Sequence, residues 1–242
     1  MADYFVLSLE DCECRRAPLL DALTALGITP RVVLGVDGRK GLDGAAENLI
    51  ERQEANRRAK RVVTDGELAC ALSHLEVYRV ILEQGCQHAV VLEDDARLTE
   101  GFLEAVTALE RQDFDIALLD HEFARSRWLA EFNLPTGARV WRVTNIPDRN
   151  TGYIVTANAA RHLLECSFPV RFLADWPYDI STLVTLAVSP SVVIRSGNDQ
   201  DSLLAGERKR SQARATWGRP SPPYSDTGVP ARLYRFLSRR IS

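Results

Sequence analysis

The chain has 242 residues, 45% hydrophobic and 26% charged, a balance that excludes a disordered or collagen-like protein and suits one large α/β domain, with or without a tail. Cys12, Cys14, Cys70, Cys86 and Cys166 are scattered, and the close pair Cys12/Cys14 has no second pair to complete a zinc site. With no secretory signal and no run of about 20 apolar residues, the expectation is a cytoplasmic protein with reduced thiols. The net charge of −3 conceals an asymmetry: from residue 205 onward nine basic residues meet two acidic ones, so the first 204 residues carry −10.

Residues 4–9 read as a short buried strand, rich in aromatic and branched side chains. Residues 13–26 follow with helical spacing, and Gly27 stands where a helix would stop. A second strand is expected over 31–36, ending in the turn Asp37-Gly38. Residues 47–60 are polar on most faces and read as an exposed helix or a loop. The clearest amphipathic helix covers 67–83, with Leu68, Leu72, Leu75, Val80 and Leu82 on its apolar surface. A buried strand at 88–92 then runs straight into Glu93-Asp94-Asp95. Helices are expected at 100–109 and 157–166, and strands at 114–119, 141–143 and 152–156. Residues 181–188 fit a helix or a strand equally well. Order becomes doubtful beyond Arg195, and Ser221-Pro222-Pro223 reads as a linker.

Alternating strands and helices indicate an α/β fold with a mainly parallel central sheet flanked by helices. Ligands of such sheets bind at the carboxyl ends of strands, which places Ser8, Asp37 and Glu93 to Asp95 on one edge. Three consecutive carboxylates repel one another, and a divalent cation offsets that repulsion; a solvated acidic turn is the plain alternative. Hard ions such as Mg²⁺ and Mn²⁺ take oxygen ligands and commonly bridge to substrate phosphates. No Gly-x-x-x-x-Gly-Lys occurs, which argues against a P-loop enzyme.

Several segments resemble glycosyltransferase family 25, the bacterial lipooligosaccharide glycosyltransferases related to collagen galactosyltransferases. Val6-Leu7-Ser8-Leu9 with Arg15-Arg16 looks like the family's opening strand and double arginine, and Val36-Asp37-Gly38 like its second motif. The most specific match is the run from Gly66-Glu67 through Cys70 to Ser73-His74. Val91 to Ala96 matches the acidic motif, and blocks at 113–116, 151–155 and Pro177-Tyr178-Asp179 follow in order. The chain departs from the pattern at Ala69, Tyr78, Asp120 and Arg195.

The resemblance implies a GT-A-like domain over residues 1–204, a UDP-sugar donor carrying galactose or glucose, Mn²⁺ or Mg²⁺, and inversion at the anomeric carbon. Asp95 and Glu93 are the expected metal ligands, with Asp94 on metal, its waters or the ribose. Leu7, Ser8, Leu9, Asp37, Gly38 and Ser73 are expected along the nucleotide. Arg15 and Arg16 suit the diphosphate, because a guanidinium offers two parallel donors. The base that takes the acceptor proton is sought first at Asp179, then at Asp120, Asp148 and Asp175, and His74 and His121 are further active-site candidates. Trp176 and Tyr178 suit stacking on a sugar ring. The acceptor expected is a saccharide or lipid-linked glycan, in lipopolysaccharide or other glycan assembly.

Residues 205–242 form a basic tail, and over 229–242 Leu233, Phe236, Leu237 and Ile241 alternate with four arginines. That is the pattern of a helix on an anionic membrane surface, or of a terminal helix docked on the body. An acidic body speaks against a nucleic-acid partner. Two other functional classes stay open: a non-catalytic nucleotide-sugar-binding protein on the same fold, and a metal-dependent hydrolase of nucleotide diphosphates.

Overall fold

The computed structural model describes residues 2–126, 130–173, 176, 180–196 and 239–241. Its centre is an eight-stranded sheet, flanked by helices on both faces. The first strand, β1 (Asp3–Ser8), pairs in parallel with β2 (Arg31–Leu34) on one side and β3 (His88–Glu93) on the other. Side chains alternate across each strand. Phe5, Leu7 and Val91 therefore enter one core, and Tyr4, Val6, Val90 and Leu92 enter the opposite one.

Helix α1 (Glu13–Ala25) covers the second face with Leu19 and Leu23. Two short helices, α2 (Gly44–Glu47) and α3 (Arg52–Ala59), replace the single helix or loop expected near residues 47–60. The long helix α4 (Asp65–Glu83) lies on the first face, and twelve of its nineteen residues are buried. Its start is a capping box: Thr64 accepts from the Glu67 amide while Glu67 accepts from the Thr64 amide. Such a box contributes about 1 kcal/mol. Glu67 is fully buried, and Arg61 meets its carboxylate at 2.6 and 2.8 Å.

Beyond β3 come a short strand β4 (Ala96–Leu98), helix α5 (Phe102–Leu109) on the second face, and the buried strand β5 (Ile116–Leu118). Strands β6 (Arg125–Ser126), β7 (Phe132–Asn133) and β8 (Arg139–Arg142) lead to β9 (Gly152–Thr156), after which α6 (Ala157–Cys166) packs beside α4. The ambiguous run at 181–188 resolves into a single 3₁₀ turn, Ile180–Thr182, followed by strand β10 (Thr185–Ser189). Strand β11 (Val193–Arg195) pairs with β4 and was not foreseen, since three residues are too few for a period.

The sheet order is β2-β1-β3-β9-β5-β10-β8-β7. The expectation of a mainly parallel sheet holds for β2-β1-β3 and for β5 with β10. It fails where β9 enters antiparallel between β3 and β5, and where β8 and β7 extend the far edge antiparallel. The sheet is therefore mixed, because the β7–β8 hairpin reverses the chain, and β8 and β9 both run against β1, β3, β5 and β10.

Most of the basic tail lies outside the described residues. Its last part is a strand rather than a helix: β12 (Arg239–Arg240) pairs antiparallel with β6, and Ile241 is buried in the main core. The Arg239 guanidinium stacks 4.0 Å from the Trp141 ring centre and that of Arg240 4.4 Å from Phe123, so these two arginines are held by aromatic faces of the body. Among the described residues no helix is long and apolar enough to cross a membrane.

Candidate active site

The carboxyl ends of β1 and β3, the loop after β2 and the N-terminal half of α4 enclose an open cleft of about 720 Å³, mouth included. Leu7, Ser8 and Leu9 form one wall, the 35–38 loop a second, and Ala69, Cys70 and Ser73 a third. Glu93, Asp94, Arg15, Arg39, Gly66 and Arg195 complete the lining.

Packing against α4 shapes the loop wall. The Ser73 hydroxyl donates to the Ala69 carbonyl at 2.7 Å and accepts from the Val36 amide at 2.8 Å, fixing the loop to the helix. A side chain at Gly38 would lie 2.5 Å from the Asp65 carbonyl oxygen, so no other residue fits there without moving the helix start. Asp37 turns outward and binds Arg39, whose hydrogen bonds hold its carboxyl well below the usual range.

The acidic run divides between two networks. Asp94 and Asp95 are tied to arginines. Arg15 Nε lies 2.9 Å from Asp94 Oδ1, and Arg15 Nη2 lies 2.6 Å from Asp95 Oδ2. Arg195 Nε meets the same Asp95 oxygen at 3.0 Å, and the Ser8 hydroxyl donates to Asp94 Oδ2 at 2.9 Å. Asp95 Oδ1 is buried with no hydrogen-bond partner among the described residues. Burial raises the Asp94 carboxyl above its ordinary value, outweighing the opposing pull of Arg15 and Ser8. Arg16 serves the backbone instead, donating to the Leu9 carbonyl at 3.0 Å.

Glu93 shares the parity of Val91 and faces α4, where His74 waits. His74 Nε2 lies 3.3 Å from Glu93 Oε1, and Nδ1 lies 2.9 Å from the Tyr153 hydroxyl. Tyr153 in turn donates to Tyr78 at 3.2 Å, and the Asn150 amide nitrogen sits 3.0 Å from His74 Nε2. Burial pushes the Glu93 carboxyl up, but the hydrogen bond and charge of His74, with Arg195 and Arg15 behind it, leave it below the ordinary value.

On the far side of β3, Asp120 follows β5 and is buried. Thr151 bonds its carboxylate, Oδ2 has no partner among the described residues, and burial raises its pKa. His121 Nε2 donates to the Val188 carbonyl at 3.1 Å. Asp175, Pro177, Tyr178 and Asp179 lie outside the described residues, and Trp176 is buried against Tyr153 with ring centres 5.2 Å apart.

The profile "Glycosyltransferase family 25 (LPS biosynthesis protein)" matches residues 1–182. The chain belongs to glycosyltransferase family 25. It is 32% identical over 110 residues to "Probable inactive glycosyltransferase 25 family member 3" of Rattus norvegicus, a match covering 44% of this chain and 19% of that protein. It is 31% identical over 124 residues to "Procollagen galactosyltransferase 2" of Mus musculus, covering 50% of this chain and 20% of the relative. The human "Procollagen galactosyltransferase 2" is 27% identical over 171 residues, 67% of this chain and 27% of the relative. The chain therefore spans about a fifth to a quarter of these relatives' lengths.

Of the residues singled out in this family 25 sequence, Leu7, Ser8, Leu9, Arg15, Asp37, Gly38, Ser73, Glu93 and Asp94 line the cleft. Asp95 sits behind the lining on its two arginines, Arg16 braces the β1 end, and His74 is enclosed behind Glu93. Asp120 lies on the same sheet edge, outside the lining. Sequence reasoning quoted Cys70 and Tyr153 within motifs but gave them no role, and it missed Asn150 and the contact of Arg195. Cys70 stands four residues before His74 on α4, a spacing that shares one helix face. No local signal announces Asn150 or Arg195, which arrive through long-range packing.

Proposed function

We propose that this chain is an inverting glycosyltransferase with a GT-A-like fold. It moves galactose or glucose from a UDP-sugar to a saccharide or lipid-linked glycan acceptor, in lipopolysaccharide or related glycan assembly. The observation that carries the reading is the cleft where β1 and β3 end, bordered by Glu93, Asp94, Arg15 and Arg195. Membership in family 25 and the galactosyltransferase names of relatives support a hexosyl donor. In this reading the nucleotide lies along Leu7, Ser8, Leu9 and Gly38, and its diphosphate reaches Arg15 and Arg195, whose guanidiniums suit phosphate oxygens.

The cluster fits a hard divalent ion. Its donors are all carboxylate oxygens, and Asp95 Oδ1 is a buried oxygen still without a partner among the described residues. Glu93 and Asp95 would hold Mn²⁺ or Mg²⁺, and Asp94 its waters. When bound, such an ion supplies positive charge beside the departing diphosphate. Arg15 and Arg195 supply charge of the same sign from the chain itself.

Transfer is an in-line displacement. A base takes the proton of the acceptor hydroxyl, the hydroxyl oxygen bonds to the anomeric carbon, and the bond to UDP breaks with its electron pair leaving on the diphosphate. Asp120 suits the base among the described carboxylates, because burial raises its pKa and one oxygen is unengaged. Asp179 remains the rival, outside the described residues. His74 orients Glu93 rather than facing the cleft.

Relatives named as inactive favour a second reading, a nucleotide-sugar-binding protein without transfer. Thermal melting against a panel of nucleotide sugars, with and without Mn²⁺, tests the donor claim, since a ligand of the folded state raises the midpoint. The expected result is a rise with one UDP-hexose that depends on Mn²⁺ and disappears in Asp95→Ala. No rise with any nucleotide sugar contradicts both readings. A rise without UDP release on any glycan acceptor favours the second.

A further inference from the structure

The geometry points to a thiophilic metal site behind the cleft, formed by Cys70, His74 and Glu93 and suited to Zn²⁺. Cys70 Sγ, a His74 ring nitrogen and a Glu93 carboxylate oxygen all lie within 4.8 Å of one another. Two of these residues share one face of α4, and the third ends β3 opposite it. The separation of His74 Nε2 and Glu93 Oε1, 3.3 Å, equals roughly the 3.3 Å between two ligands of a tetrahedral zinc with bonds of about 2.0 Å.

The histidine is prepared for such a role. Tyr153 donates to Tyr78, so its oxygen is free to accept the Nδ1 proton of His74. The His74 Nε2 meets a Glu93 carboxylate oxygen at 3.3 Å, so a cation placed between them takes both as ligands. A ligating histidine anchored through its other nitrogen is the usual outer support of zinc sites. The Asn150 amide nitrogen, 3.0 Å from the same Nε2, gives way when a metal takes that position. Three protein ligands, one a thiolate, favour zinc over Mg²⁺ or Mn²⁺ and leave a fourth position open. Cys70 and Glu93 both border the cleft, so that position opens toward it. Binding displaces the Cys70 thiol proton, and any proton on His74 Nε2, to solvent as the S–Zn and N–Zn bonds form.

This site is separate from the Asp94–Asp95 pair and shares only Glu93 with the ligand set proposed for the donor-bound ion. Zinc there withdraws Glu93 from a donor-bound ion, so micromolar Zn²⁺ opposes UDP-sugar binding. Binding of the metal itself does not depend on the transfer reading.

The test is a Co²⁺ titration of the full chain after chelator treatment, followed by absorption. The expected result is a thiolate-to-cobalt charge-transfer band saturating at one ion per chain. Zn²⁺ displaces it, Cys70→Ser abolishes it, and a Cys12→Ser/Cys14→Ser variant retains it. No such band in the wild type, or an unchanged band in Cys70→Ser, overturns the site. If Cys70→Ser does not fold, alkylation of the wild type decides: Zn²⁺ slows iodoacetamide labelling of Cys70 at least tenfold, whereas equal rates with and without Zn²⁺ overturn it.

Discussion

Asp94 and Asp95 on one side and Glu93 on the other are consecutive residues with opposite surroundings. The two aspartates face guanidiniums, with Arg15 and Arg195 converging on Asp95. Glu93 instead faces a fully buried histidine within a chain of polar side chains. The division follows from strand parity, which turns Glu93 toward α4 and releases the next residues into the loop at the sheet edge. An unbroken acidic run is thus two half-sites, and the charge of each is offset by different partners.

The largest expected effect comes from breaking the arginine half. Arg15→Ala leaves Asp94 and Asp95 buried with one guanidinium fewer, and is expected to cost about 3 kcal/mol in urea unfolding. Arg16→Ala, which removes bonds to backbone carbonyls, a long one to the Ser8 hydroxyl and a surface pair, is expected to cost about 1 kcal/mol or less. Equal losses would mean that Arg15 is no more than a helix-surface residue.

A smaller effect separates the halves by pH, measured as unfolding free energy in chelator from neutral pH down to about pH 3, below the ordinary carboxylate range. The folded Glu93 carboxyl is held below its ordinary value, so its contribution is present above the unfolded pKa of about 4.3 and is lost as pH falls through the folded one. The advantage of wild type over Glu93→Gln therefore shrinks on acidification. The Asp94 carboxyl is raised, so its protonated form favours the folded state, and that contribution is lost as pH rises through the folded value. The difference between wild type and Asp94→Asn consequently shifts in favour of wild type on acidification. Parallel slopes for the two variants would contradict the division.

Much of the scaffold was legible because local signals were strong. The apolar runs of β1 and β3, the capped start of α4 and the helix after β9 stand close to their expected bounds. The antiparallel entry of β9 was not legible, since strand direction is decided by distant pairing rather than by the strand's own residues. In the same way Glu93, Asp94 and Asp95 could be located at a strand end, but not assigned to separate partners. Arg195 comes from a three-residue strand at the far end of the domain, and Asn150 from the loop before β9. Ser73 and Gly38, singled out for the nucleotide, also set the loop wall, because α4 needs a small residue and a hydroxyl where the loop crosses it.

The most direct measurement is titration calorimetry of UDP and UMP, in Mn²⁺, with wild type and Arg195→Ala. Arg195 borders the cleft beside Asp95, and the proposed donor mode puts the second phosphate of the diphosphate there. The expected result is one UDP per chain, weakened at least tenfold by Arg195→Ala, or about 1.4 kcal/mol, with UMP weakened far less. No UDP binding by the wild type, or equal loss for UDP and UMP, would contradict the assignment of this cleft to a nucleotide-sugar donor.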